Sequence, residues 1–393
     1  RDLNLHELRL SDVALGGSGT LKAFGDVNIA TMECDVIAEM QSIKVQYDTI
    51  SLSSPSMTLA FESSDSTINA RLDNEDLSVD FSSEVGVKRF VEQVEQSKEV
   101  AMNQWQKISL NIDTLQAALP PFAFQLGMGK NGLVQQYLKQ NQIEMRQLKF
   151  DLYNDSTIYG NGIVQRLDAM GTKIDTITAK LVQTGRYLGY SFHMGNRPGT
   201  MDNFASATLK GGVLNSRLTT IYDVKDIKER TGYHFGTHAD LNDSVVKVNI
   251  FTPKPLIGYK EWQVNDDNYV LYDYKNKHFD ANLLLEGGNS GTINLFTNHV
   301  EHGNHDDDDH GQEEVNLQVK NLKLEEWLMM FPFAPEMSGE LTTDMQISYR
   351  GSQFWGEGKS TLKNFKYEGE TVGDFDLNAL MTLDPKTGNT NLE

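Results

Sequence analysis

Short alternating apolar segments, each closed by a glycine-bearing turn, follow one another along this chain and restrict its fold more than any other feature. From Gly339 the order is Gly-Glu-Leu-Thr-Thr-Asp-Met-Gln-Ile-Ser-Tyr, then a turn through Arg350-Gly351-Ser352, then Gly358-Lys359-Ser360-Thr361-Leu362. A second turn at Glu368-Gly369-Glu370 leads into Gly373-Asp374-Phe375-Asp376-Leu377-Asn378-Ala379-Leu380-Met381-Thr382-Leu383. Strands spaced roughly ten residues apart with turn signals between them predict an all-β fold. The two-residue period of a pleated chain gives each strand one apolar face. The expected object is an elongated, twisted and curled β-sheet, able to present a long apolar face without closing it into a compact core.

The first section, to about residue 83, has this texture throughout. Ile43, Val45 and Tyr47 alternate, as do Met57, Leu59 and Phe61, then Ile68, Ala70 and Leu72, then Leu77, Val79 and Phe81. The clusters between them, such as Glu62-Ser63-Ser64-Asp65-Ser66, favour turns because their side chains bond locally to the backbone. From 84 to 145 the period changes. Val87, Phe90, Val91, Val94, Ala101 and Trp105 recur at helical spacing and predict an amphipathic helix near 86–106 that packs over one end or edge of a sheet or, alternatively, covers the mouth of a cavity. Further helices are expected at 112–119, ended by Pro120-Pro121, and at 131–140. From 146 to 393 the strand pattern resumes, broken by one short helix near 323–331. The chain thus divides into a β segment (1–83), a helical insertion (84–145) and a second β segment (146–393).

Composition removes several function classes. A formal net charge of -20 without a basic block opposes binding to nucleic acid or an anionic membrane surface. The mean hydropathy of -0.44 and 39% hydrophobic residues are low for a compact globule, yet aromatic and β-branched residues suffice for folding. The single cysteine, Cys34, excludes an internal disulfide framework, and it reads as a buried, inert thiol. No run approaches the ~20 apolar residues of a spanning helix. No signal peptide is recognisable, and the opening Arg1-Asp2-Leu3 is already in strand register, as expected of a piece of a longer protein.

Candidate chemistry is sparse. His302-Gly303-Asn304-His305-Asp306-Asp307-Asp308-Asp309-His310 is the loudest polar cluster. Consecutive aspartates do not converge as the alternating ligands of a calcium loop do, so a solvated loop is expected. His234, His238 and Asp240 have a spacing that suits zinc only on a helix, and their context is strand-like. No nucleophile elbow, P-loop or dinucleotide fingerprint is present. Trp105, Trp262, Trp327 and Trp355 are too scattered to form a sugar-stacking platform. No catalytic residue, metal or cofactor is assigned, and the apolar faces remain as the functional feature. They form either ordinary closed cores or the lining of a groove, which inward alternation alone does not distinguish.

The section Leu317–Leu383 resembles the TamB proteins of the AsmA-like superfamily, Bacteroidetes-type versions above all. The residues that carry this are Val319-Lys320-Asn321-Leu322-Lys323-Leu324-Glu325-Glu326-Trp327, Pro335-Glu336-Met337-Ser338-Gly339-Glu340-Leu341, the turn Tyr349-Arg350-Gly351, Phe365-Lys366-Tyr367, and Val372-Gly373-Asp374-Phe375. Similar pieces occur at Trp262–Tyr269, Ala205–Gly212 and Leu115–Pro120. Where many members place proline between paired strands, this chain has Ser352-Gln353-Phe354. The resemblance implies a periplasmic, twisted β-trough, held by an inner-membrane anchor upstream of this chain. Phospholipid acyl chains and an outer-membrane barrel of the TamA/Omp85 type are its implied partners, in phospholipid passage and outer-membrane biogenesis. The groove candidates are Val246, Val248 and Ile250; Phe279, Ala281, Leu283 and Leu285; Leu341, Met345 and Ile347; and Phe375, Leu377, Ala379 and Met381. Two rival readings stand beside this one. One is a periplasmic or surface scaffold that assists β-barrel assembly and secretion without lipid cargo. The other is a secreted β-helical polysaccharide lyase or hydrolase.

Overall fold

The computed structural model describes residues 2–4, 15–47, 50–169, 172–196, 205–299, 313–328, 335–350, 353–383 and 390–392. The fold is all-β, with four short helices among the described residues. It divides into two compact units. The first comprises Arg1–Gln106 with Leu110–Asn215, the second Lys107–Ser109 with Ser216–Glu393.

In the first unit the strands are β1 (Asp2–Asn4), β2 (Leu15–Asn28), β3 (Glu33–Tyr47), β4 (Ile50–Ser63), β5 (Ile68–Asn74), β6 (Leu77–Ser83), β7 (Phe122–Met128), β8 (Ile143–Glu144), β9 (Gln147–Asn154), β10 (Ile158–Ala169), β11 (Thr172–Thr184), β12 (Tyr187–Gly195) and β13 (Ser206–Leu214). Each pairs antiparallel with the next, except that β7 pairs with β9 and the short β8 lies on β10. Tight connections place single residues at positive φ, such as Glu75 (56°) between β5 and β6 and Gly185 (56°) between β11 and β12. Cross-strand partners fix one apolar face. Its central row runs Ala38, Leu59, Leu72, Val79, Leu126, Phe150, Gly162, Ala179, Phe192 and Leu209. The parallel row on the other face includes Arg71, Asp80, Gln125, Asp151, Asn161 and Lys180.

Three helices cap this unit: α1 (Val87–Gln106), α2 (Ile112–Ala118) and α3 (Leu133–Gln140). Asn111 caps α2 by accepting a hydrogen bond from the Thr114 backbone N–H at 3.0 Å. Between α2 and α3 the expected helical insertion contains a strand. In β7, Phe122, Phe124, Leu126 and Met128 alternate onto the apolar face, and Pro120-Pro121 hold the approaching chain extended. The stripe on α1 also differs from expectation. Phe90 meets Phe81 edge-on at 5.4 Å, but Val91, Val94 and Trp105 stand exposed and the helix turns Ser97 inward instead. At the end of the helix the Gln104 side chain exchanges two hydrogen bonds with the Asn111 backbone.

The second unit continues with β14 (Arg217–Lys225), β15 (Thr231–Asn242), β16 (Val245–Ile250), β17 (Leu256–Ile257), β18 (Lys260–Glu261), β19 (Gln263–Val264), β20 (Tyr269–Asp273), β21 (His278–Glu286), β22 (Thr292–His299), β23 (Glu313–Lys323), β24 (Met337–Arg350), β25 (Gln353–Tyr367), β26 (Glu370–Leu383) and β27 (Thr390–Leu392). The antiparallel order is β14, β15, β16, β20, and then sequentially to β27. The short β17, β18 and β19 branch off at one end of the strands, where β17 pairs with β15 and β19 with β21. The helix α4 (Leu324–Leu328) follows β23 directly, Lys323 of the expected 323–331 helix being the last residue of that strand, and residues 329–331 lie outside the described residues.

The sheet is open and uncurled. In neither unit does a described strand pair back onto the start of its own sheet, so neither sheet closes into a barrel, and the expected curl is absent from these open sheets. Sequential antiparallel pairing already satisfies the backbone strand by strand, which leaves each apolar face to find its own cover. Cys34 is half-buried on β3 rather than enclosed.

Candidate functional site

Register places the groove candidates of the sequence on a single face of the second unit's sheet. One row across the strands is Ala239, Val248, Val270 and Ala281. Another is Leu283, Leu295, Leu317, Met345, Gly358 and Ala379. A third is Leu285, Ile293, Val319, Thr343, Ser360 and Leu377. Val246 aligns with Tyr272 and Phe279, Leu341 with Leu362 and Phe375, and Ile347 with Gly356 and Met381. Ile250, opposite Thr237, shares the parity of Val248. The reverse face carries Asp240, Lys247 and Asp280, then Gln318, Asp344, Lys359 and Asn378.

Cover on this apolar face is uneven. Val224, Tyr233, Leu285, Val319 and Leu322 are buried, whereas Phe375 is 48% and Leu377 61% exposed. The buried positions cluster at the strand ends roofed by β17–β19 and α4. Trp262 is fully buried there, edge-on to Trp327 at 5.4 Å. The indole of Trp262 occupies the space that a side chain on Gly287 would need, at 2.5 Å from the Cβ position. Its N–H donates to the Ile257 carbonyl at 3.3 Å. The Tyr233 hydroxyl donates to the Glu326 carbonyl at 2.5 Å, and burial pushes that phenol far up, so it stays a donor. Lys260 reaches the Glu326 carboxylate at 2.5 Å and donates to the Ser290 hydroxyl at 2.9 Å. These contacts make a tryptophan corner that closes one end of the face. Nothing in the sequence marked it, because Trp262, Gly287 and Trp327 are separated along the chain and meet only once the strands between them are in register.

The loop joining β14 and β15 is locked onto the same corner. Asp226 is buried and accepts from the backbone N–H groups of Lys228 (2.9 Å) and Arg230 (3.0 Å), the Arg230 guanidinium and the Tyr259 hydroxyl (3.0 Å). Burial pushes this carboxyl up, but the bonds from Arg230, Lys228 and Tyr259 outweigh it and hold it at about 2. Arg230 also stacks over the Tyr259 ring at 5.0 Å.

The imidazoles considered for metal are engaged one by one on the polar face. His234 bonds Asp223 at 2.6 Å, His238 bonds Thr219 at 2.9 Å and stacks on Phe251, and Asp240 pairs with Arg217. Among the described residues no group of three or more acids, histidines or cysteines is placed to hold a metal. The 302–310 cluster lies outside the described residues. Two depressions, of about 580 Å³ beside Gln346, Lys359 and Asn378 and about 540 Å³ beside Arg71, Asp80 and Gln125, open chiefly on the polar faces. None of the helices in the described residues is long and apolar enough to cross a membrane.

Compared with known proteins, the chain matches no family model, no curated protein and no solved structure. Functional inference therefore rests on the apolar face itself.

Proposed function

We propose that this chain carries phospholipid acyl chains along the apolar face of its sheet, as part of a TamB-like bridge in the periplasm between inner and outer membranes. The observation that carries the reading is the continuity of that face. Val248, Leu283, Met345 and Leu377 share one side of a sheet whose other side bears Lys247, Gln346 and Asn378. Transfer of an acyl chain through water exposes apolar surface worth about 0.8 kcal/mol per CH₂. A ready apolar surface lowers that barrier without any catalytic group, so the proposal assigns no reaction. The negative charge of the chain is tolerated because lipid rides on the apolar side. A barrel partner of the TamA kind in the outer membrane is part of the same proposal.

The second reading is a scaffold for barrel assembly without lipid cargo, and it is favoured by the closed corner around Trp262 and Leu285. Photo-crosslinking amino acids at Val248, Leu283, Met345 and Leu377, with Lys247, Leu284, Gln346 and Asn378 as controls, separate the two. Phospholipid adducts are expected at the first set only. Adducts at neither set, with no lipid co-purifying in native mass spectrometry, would replace the lipid reading by the scaffold.

A further inference from the structure

The helix α1 has two faces able to pack, and its own unit uses only one of them. Inward lie Phe90, Gln93, Ser97, Val100 and Gln104, of which Ser97 is buried and the others half-buried. A separate row, Val87, Val91, Val94, Lys98, Ala101 and Trp105, advances at alternating steps of four and three residues. That spacing is the heptad seam along which two helices pack knobs into holes. From Val91 onward every member of the row is exposed, Trp105 at 76%. Both neighbours of the helix in the chain are in place. The strand β6 precedes it and β7 follows, and each is paired on both sides within the sheet. The exposed row therefore belongs to the middle of the chain and does not arise at its ends.

The order of residues along the row selects its occupant. Two copies of α1 laid antiparallel, seam against seam, set Trp105 against Val87 of the second copy, Ala101 against Val91 and Lys98 against Val94. Each contact then occurs twice, as a two-fold interface requires. The axis passes near Gln96, so Glu95 and Lys98 of both copies gather around it with opposite signs. A parallel pair would instead set Lys98 against Lys98, a repulsion, and the bulky Trp105 against itself. A single lysine in such a seam selects orientation and register at some cost in stability. We propose that α1 is the interface through which two copies of this chain associate, as an antiparallel helix pair. The proposal rests on α1 alone and does not depend on lipid transport.

Sedimentation velocity of the full chain over a range of concentrations reads the association, and a reversible dimer is expected. Val94→Glu places an unpaired carboxylate in the seam, and Lys98→Glu gathers only carboxylates around the axis. Each should weaken the dimer on the order of a hundredfold. Circular dichroism should not change, because both positions are exposed in the single chain. Orientation is read by disulfide trapping in a Cys34→Ser background. Chains carrying Val91→Cys, mixed with size-tagged chains carrying Ala101→Cys, should cross-link to one another far more than to their own kind. Cross-linking of each kind only to itself would show a parallel pair and overturn the proposal. So would a chain that stays monomeric across the micromolar range, or a dimer that neither Val94→Glu nor Lys98→Glu weakens.

Discussion

Leu285 and Leu377 share one row of the apolar face and differ in cover, so the same truncation should cost different amounts at the two sites. Leu285 is 5% exposed, at the strand end roofed by the tryptophan corner. Leu285→Ala leaves a cavity in packed surroundings, and about 2–5 kcal/mol of destabilisation is expected. Leu377 is 61% exposed. Only about two-fifths of the ~1.5–3 kcal/mol available from a fully buried leucine is at stake there, and alanine retains a methyl, which leaves about 0.5–1 kcal/mol and no cavity. Urea unfolding reports both, followed by fluorescence in a Trp105→Phe, Trp355→Phe background so that Trp262 and Trp327 dominate the signal. The slope m should be the same in the two variants and only the midpoint should differ. A Leu377→Ala loss equal to that of Leu285→Ala would mean that β26 is packed against something, and the idea of a partly open face would fail.

Other substitutions test the supporting structure. A Cβ at Gly236 would run into the Phe251 ring and one at Gly212 into the Tyr187 ring, both partly exposed rings that can give way, so Gly236→Ala and Gly212→Ala should each destabilise by about 1 kcal/mol or less, read from thermal midpoints. Replacing the aromatic partner as well, for example Phe251→Ala with Gly236→Ala, should recover part of that loss. Asp226, held at about 2 from an ordinary 3.8, contributes stability that is complete above about pH 4 and disappears as the pH falls through about 2. Asp226→Asn should therefore be less stable than the parent at neutral pH, and the gap should narrow on acidification. A gap that stays constant from pH 7 to pH 2 would remove the carboxylate from that role.

That alternate residues of each strand share one face was legible in the sequence, because the two-residue period is a local property of the chain. Val246 through Ile250, Phe279 through Leu285, Leu341 through Ile347 and Phe375 through Met381 fall on one side because turns and bulges between them keep the register. The helices were legible for the same reason, by their spacing, although the rotation of α1 was not. Val91, Val94 and Trp105 stand exposed while Ser97 is buried, and periodicity does not say which side of a helix meets the sheet. What lay beyond reach was cover. Asn74 and Asn154, each 2% exposed on the first unit's apolar face, look like errors of pattern until their partners are seen. Asn74 accepts from the Leu133 N–H at the start of α3 and donates to Ser54, and Asn154 donates to the Pro120 carbonyl after α2. They are the anchors of the helical segment, and their partners are set by chain reversal over tens of residues.

The placement of cover also bears on the path an acyl chain would take under the proposed function. Motion along the strands of the second unit runs into the corner formed by Trp262, Trp327 and Tyr233, where the face is already filled. Motion across the strands meets no such stop within the row Leu283, Leu295, Leu317, Met345, Gly358 and Ala379, which steps from β21 to β26. At about 4.8 Å per strand the five steps span about 24 Å, close to the length of one extended acyl chain. Every residue of the row is apolar or glycine, and the Met345 side chain leans over Gly358. A lipid lying across the strands would therefore replace water over the whole row at once, whereas one lying along a strand would have to displace the tryptophan corner.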